Sequence, residues 1–241
     1  CHNIRQLPRE TTRIVVTVEI MTISTHYRHV IALNNVGISL LKKRAFTHAT
    51  ETFRCALNEM KMMVQPSNPA TEVPNPPAAT FFNKVDKAYK LLMSLEQNPR
   101  EVSMSPMTFD SISGFHLDSA IILYNLALVH RSVAAMEVEA AKRIQIHKAA
   151  LRLFRMSFAL VTITKVPEGL CFEDEQAMIR DRIHANAIFL YFQTRTLFDM
   201  GLQHEAEESL RHLSILGTEL ADMMDMGFVH DGICLPTAAA A

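Results

Sequence analysis

The stretch Ile31 to Met63, IALNNVGISLLKKRAFTHATETFRCALNEMKMM, constrains this chain more than any other part of it. Val30, Leu33, Val36, Gly37, Leu40 and Leu41 recur at three- and four-residue steps, which puts them on one face of a helix. Lys42-Lys43-Arg44 then places positive charge at the helix C-terminus, where the macrodipole favours it. A short turn over residues 44–47 reverses the chain, and Phe46, Ala49, Phe53, Ala56, Leu57 and Met60 line a second helix. Small residues at Gly37, Ala49 and Ala56 with a large one at Phe53 are what two closely crossing helices require.

Composition agrees with a helical chain. Only 7 glycines are present among 241 residues, and Ala, Leu, Met, Glu and Gln dominate the long segments, which favours helix over strand. Hydrophobic residues make up 49%, enough for a sizeable core and too many for wholesale disorder. The 24 basic and 25 acidic residues nearly cancel, so no global field draws the chain to nucleic acid or anionic lipid. The longest apolar run, Ala120 to Val129, is about half of what a membrane span needs and includes Asn125, so a buried helix is expected there. Cys1, Cys55, Cys171 and Cys234 are scattered and form no CxxC pair, which reads as isolated thiols in an intracellular, cytoplasmic setting. Cys1 stands where a start methionine would, so a targeting signal can be missing from the sequence rather than absent.

Along the chain, Thr12 to Ser24 alternates apolar residues with Thr and is rich in β-branched residues, which suits a strand. A lone strand has no partner, so Thr12 to Ser24 is read as an extended or helix-leading segment, within an extended N-terminal part over 1–25 that precedes a helical domain over 26–226. Pro66, Pro69, Pro74, Pro76 and Pro77 exclude helix from a loop over 65–80. An extra amphipathic helix is expected over Phe81 to Leu95. Two further helix pairs follow, Leu117–Ala135 with Ala140–Thr164, and Glu173–Met200 with His204–Met226, joined at Gly201. The tail over 227–241, with Gly232 and Pro236, is expected to be loose.

These pairs resemble the tetratricopeptide repeat, a helix–turn–helix unit with small and aromatic residues at fixed places. Setting Gly37 at the repeat's Gly place puts Leu33, Val36 and Leu40 at the Trp, Leu and Tyr places, and Ala49, Phe53 and Ala56 at the second-helix places. Lys61 stands where the final Pro belongs. In the second unit Ala127 takes the Gly place, and Ala150 and Phe154 arrive eleven residues late. In the third, Thr194 replaces the Gly, with Gly201 at the turn and Ala206, Leu210 and Leu213 after it. The series NN-x-G…A-x₃-F, YNLAL-x₂-H and a last A-x₃-L also looks like a group of uncharacterised tetratricopeptide-like proteins from diatoms. The resemblance implies an all-α, right-handed α-α superhelix of about three antiparallel pairs, with an extra helix and a Pro-rich insertion.

It also implies a concave groove lined by the first helix of each pair, binding a peptide or a partner's helix. Carried over, the binding residues are Asn34, Asn35, Ile38 and Lys42 in the first unit, and Tyr124, Asn125, Leu128 and Arg131 in the second. Tyr191 and Arg195 complete the set in the third. Asn34 and Ile38 stand where a chaperone-tail clamp needs Lys and Asn, which argues against a heat-shock chaperone C-terminus as ligand. An apolar groove this size should be covered, by a partner or by the chain's own Val15–Ile23 or Pro-rich segment.

No P-loop, GxGxxG, GxSxG or HExxH occurs, so no catalytic residue or cofactor is assigned. His26 and His29 share a helical face without a third donor placed by spacing, and Asp222, Asp225, His230, Asp231 and Cys234 cluster near the end. The reading is a non-enzymatic protein–protein interaction scaffold without metal, nucleic acid or membrane partners. Two alternatives stay open: a metal-dependent enzyme using the scattered His and Asp residues, and a structural oligomer subunit whose groove is self-filled.

Overall fold

The computed structural model describes residues 9–64, 106–108, 115–163 and 172–223. These form six α-helices: α1 (Arg9–Lys42), α2 (Phe46–Val64), α3 (Phe115–Met136), α4 (Ala140–Ile163), α5 (Phe172–Asp199) and α6 (Gln203–Met223). No strand occurs among the described residues, so the chain is all-α as expected. Each helix packs on the next in chain order, and α1 also meets α3. The Pro-rich loop over 65–80, the helix expected at 81–95 and the tail over 227–241 lie outside the described residues.

One expectation is corrected. The segment read as extended is helical from Arg9, so Thr12 to Ser24 is part of α1. β-Branched residues cost a helix only a few tenths of a kcal/mol each. An unpaired strand would leave a row of backbone groups without partners, a larger penalty that helix formation removes.

The close crossing read from the small residues is present between α1 and α2. Ala49, Phe53 and Ala56 are fully buried. Gly37 faces the Phe53 ring so closely that a Cβ would lie 2.6 Å from Cε1 and 2.8 Å from Cζ. Only a residue without a side chain fits there.

The first and third pairs turn in the same way. The Arg44 amide donates to the Leu41 carbonyl and the Ala45 amide to the Leu40 carbonyl. In the third pair the Gly201 amide donates to Phe198 and the Leu202 amide to Leu197. Both are Schellman caps, which need a left-handed residue at the turn. Gly201, at φ 74°, adopts it without strain, while Arg44 does so at φ 59° despite its side chain.

Helix α3 occupies the centre. Every residue from Ala120 to Val129 is buried, as expected of that apolar run. By length and composition α3 could cross a membrane, but most of its apolar window is packed inside the fold. Tyr124 lies at its middle with ring centroids 5.2 Å from Phe189, 5.6 Å from Phe192 and 5.9 Å from Phe154, so one aromatic cluster joins α3, α4 and α5. Burial pushes the Tyr124 phenol far above its usual range and keeps it neutral.

The third pair packs differently from its expected pattern. Leu210 points outward, half exposed, and Ser209 takes the inward place beside buried Ala206. Thr194, at the position matching Gly37, donates its hydroxyl to the Leu190 carbonyl at 2.8 Å and lies 2.8 Å from the Ser209 hydroxyl. A pair of small hydroxyl side chains replaces the glycine–phenylalanine contact here.

Candidate functional site

The face that α1 and α3 turn toward each other is built from buried polar bridges. Tyr27 donates its hydroxyl to Asp118, both side chains being buried. Asn125 Nδ2 donates to Asn34 Oδ1 at 2.9 Å. Both bridges join residues 91 apart in sequence, so the two helices run parallel along this face. The seven-residue step between bridges is two helical turns on each helix, which keeps all four residues on the facing sides.

Between the asparagines lies the chain's own main chain. The Met107 amide donates to Asn125 Oδ1 at 2.8 Å. Its carbonyl accepts from Asn125 Nδ2 at 2.7 Å and from Asn34 Nδ2 at 3.2 Å. Both polar groups of one residue are therefore held by side-chain amides, while the Met107 side chain is buried in the core. The asparagines expected to grip a partner's backbone instead grip residue 107.

This corrects part of the expected binding face. Asn34, Ile38, Tyr124, Asn125 and Leu128 are all buried, so none presents an open surface to a partner. The physical reason is that α3 is enclosed by α1, α2, α4 and α5 instead of forming one wall of an empty groove. Asn35 and Lys42 are exposed, while Arg131, Tyr191 and Arg195 are half-buried. Tyr191 stacks edge-on against Phe192 with centroids 5.3 Å apart. Among the described residues it is residue 107 that the asparagines hold, and the Pro-rich segment expected as a cover lies outside them.

Further along the same two helices the face opens. A cleft of about 290 Å³ is lined by Arg44, Phe46, Leu128, Arg131, Ser132, Ala135, Met136 and Asp199. Ala135 lies ten residues beyond Asn125, about 15 Å along α3 at the helical rise. The α1–α2 turn forms one wall, the end of α3 the floor, and the end of α5 the far wall. Arg131 places Nη2 3.0 Å and Nε 3.3 Å from the same Asp199 oxygen, and its guanidinium stands 5.7 Å from the Phe192 ring centre. Met136 is 55% exposed, the most open of the large apolar side chains in the lining.

Of the cleft, Leu128 and Arg131 were legible as binding candidates. Arg44 is marked in the sequence by the helix dipole and the turn, Phe46 by its place on the second helix, and Met136 by neither. No sequence spacing links Asp199 to Arg131, 68 residues away.

Two histidines near this region are held below their usual pKa. Burial is the larger cause for His147, whose Nδ1 is enclosed without a hydrogen-bond partner; Asp199 opposes it, and Arg131 and Arg143 add to it. Burial followed by Arg54 lowers His130. Each is neutral when folded, and the unfolded chain takes up a proton below a pKa of about 6.5. Stability is therefore full above that pH and declines as pH falls through the window between unfolded and folded values. Urea unfolding should show lower stability at pH 5 than at pH 7, with a smaller drop for His147→Leu. An equal drop in that variant would contradict the assignment.

The paired histidines expected without a third donor do have one neighbour. His26 Nδ1 lies 3.1 Å and His29 Nδ1 3.9 Å from opposite oxygens of Glu59 on α2. Among the described residues no group of three His, Cys, Asp or Glu side chains is arranged to hold a metal ion. The end cluster from Asp225 to Cys234 lies outside the described residues.

No protein-family model, curated protein or solved structure matches this chain.

Proposed function

We propose that this chain is a non-enzymatic protein–protein interaction scaffold of tetratricopeptide-like pairs, wound as a right-handed superhelix. In this reading its peptide groove is divided: the chain's own Met107 fills one part, and the cleft at Arg44, Phe46 and Met136 receives a partner. The observation that carries it is the grip of Asn34 and Asn125 on both polar groups of a single main-chain residue. Side-chain amides on neighbouring first helices bind extended main chain without reading its sequence, which is how a helical array takes up a peptide. The parallel alignment of α1 and α3 and the matching turn caps of the first and third pairs support the same arrangement.

The test is affinity capture with wild type and Met136→Asp, a change at an exposed position that leaves the core intact. Loss of specific partners by the variant is expected, at unchanged thermal stability. Identical partner sets would count against the cleft. The Met107 contact also favours a second reading, a structural subunit whose groove is permanently self-filled. Light scattering of the purified chain separates the two, because that reading requires an obligate oligomer.

A further inference from the structure

The cleft is unequal in charge. On the side of the α1–α2 turn Arg44 lines the cleft, and it and its sequence neighbours Lys42 and Lys43 are all exposed and without a carboxylate partner among the described residues. On the opposite side Arg131 and Asp199 already neutralise each other. Glu137, just past the end of α3, has its Oε1 accepting the Glu139 amide. The floor between is apolar, from Phe46, Leu128, Ala135 and Met136.

Arg44 carries an additional mark. The matching turn of the third pair uses Gly201, the residue suited to a positive φ, and Arg44 occupies the same conformation with a long cationic side chain lining the cleft. At about 290 Å³ the cleft lies at the small end of ligand pockets, enough for one anchoring side chain and its neighbours rather than for a large cofactor.

We propose that this cleft binds an acidic peptide segment, seating one apolar side chain on Phe46 and Met136 and placing adjacent carboxylates against Arg44, next in sequence to the exposed Lys42-Lys43 pair. The proposal rests on the scaffold reading above and names its partner chemistry. Arg44 is the specificity residue: its guanidinium can take a carboxylate in bidentate fashion, while the two lysines add a less directional field. Binding of this kind weakens with added salt, because the rim charges are solvent-exposed.

The test uses the full chain and a blocked, fluorescently labelled peptide, Asp-Asp-Leu-Asp-Asp, beside its lysine counterpart Lys-Lys-Leu-Lys-Lys. Anisotropy should show the acidic peptide binding at least tenfold more tightly, with the difference shrinking as salt rises. Arg44→Gly should weaken it about fivefold or more while the melting temperature stays level or rises, since glycine suits the turn. Arg44→Glu should abolish it. Equal binding of the two peptides, or undiminished binding by Arg44→Gly, would overturn the proposal. A neutral or basic peptide that binds and is displaced by Met136→Asp would overturn it too, while leaving the scaffold reading in place.

Discussion

Asn125→Ala should lower stability by about 3 kcal/mol. The substitution leaves the Met107 amide and Asn34 Oδ1 buried without partners, and each orphaned group costs about 1–3 kcal/mol. The Met107 carbonyl keeps its bond from Asn34, so the loss stops short of the whole network. For a chain of this size the melting temperature should drop by about 6–12 °C. Asn35→Ala is the control: Asn35 is exposed, and its removal should change stability by no more than about 0.5 kcal/mol. Calorimetry on the two variants decides the matter. If both melt alike, the asparagine grip on Met107 is not what holds this part of the fold.

Gly37→Val should cost more than about 3 kcal/mol. Helix propensity alone would favour replacing glycine, by up to about 1 kcal/mol in the case of alanine. Packing decides against it. The added Cβ would lie within 3 Å of three Phe53 ring atoms, and the Phe53 side chain is fully buried, as are Ala49 and Ala56 on the same helix. Overpacking a closed core costs about 1–3 kcal/mol for a few methylenes, and two γ-methyls come on top of the Cβ clash. A double variant, Gly37→Ala with Phe53→Leu, should be more stable than the sum of its single changes, because the second makes room for the first. Chemical unfolding of the set measures that coupling. Wild-type stability in Gly37→Val would refute the close crossing.

These two positions show what could be read beforehand and what could not. Gly37 and Phe53 lie sixteen residues apart within one helical hairpin, and their partnership follows from local periodicity and residue size. The same holds for Ala49, Ala56, Ala150 and Phe154, all fully buried as the spacing required. Asn125 stands out in the sequence as an amide inside an apolar run and as a residue of the groove that the resemblance implies, bonding a partner's backbone. That partner was placed outside the molecule, since nothing local could indicate that residue 107 returns to meet it. Asn34 and Asn35 are adjacent, and periodicity could not tell the buried one from the exposed one. The start of α1 was missed for a different reason. β-Branched residues over Thr12–Ser24 give a local preference for strand, and the helix prevails because it satisfies its own backbone.

The candidate cleft was the least legible part. Its lining comes from the turn after α1, the end of α3 and the end of α5, three places far apart in the chain. Lys42, Lys43 and Arg44 had a sufficient local explanation in the helix dipole, which hid the position of Arg44 beside an apolar floor. Only the parallel alignment of α1 and α3 brings Arg44 opposite Met136.

That alignment bears on which wrong structures the chain avoids. Two amphipathic helices can often slide by one turn at little cost, since one apolar side chain replaces another. Here a one-turn slip would carry Tyr27 and Asn34 off Asp118 and Asn125 and leave buried polar groups facing the apolar residues around them. Several kcal/mol would be lost at once, far more than the bridges add to the correct pairing. The polar pairs thus serve less to strengthen the native state than to raise its nearest competitors, giving a mostly apolar interior a single permitted alignment.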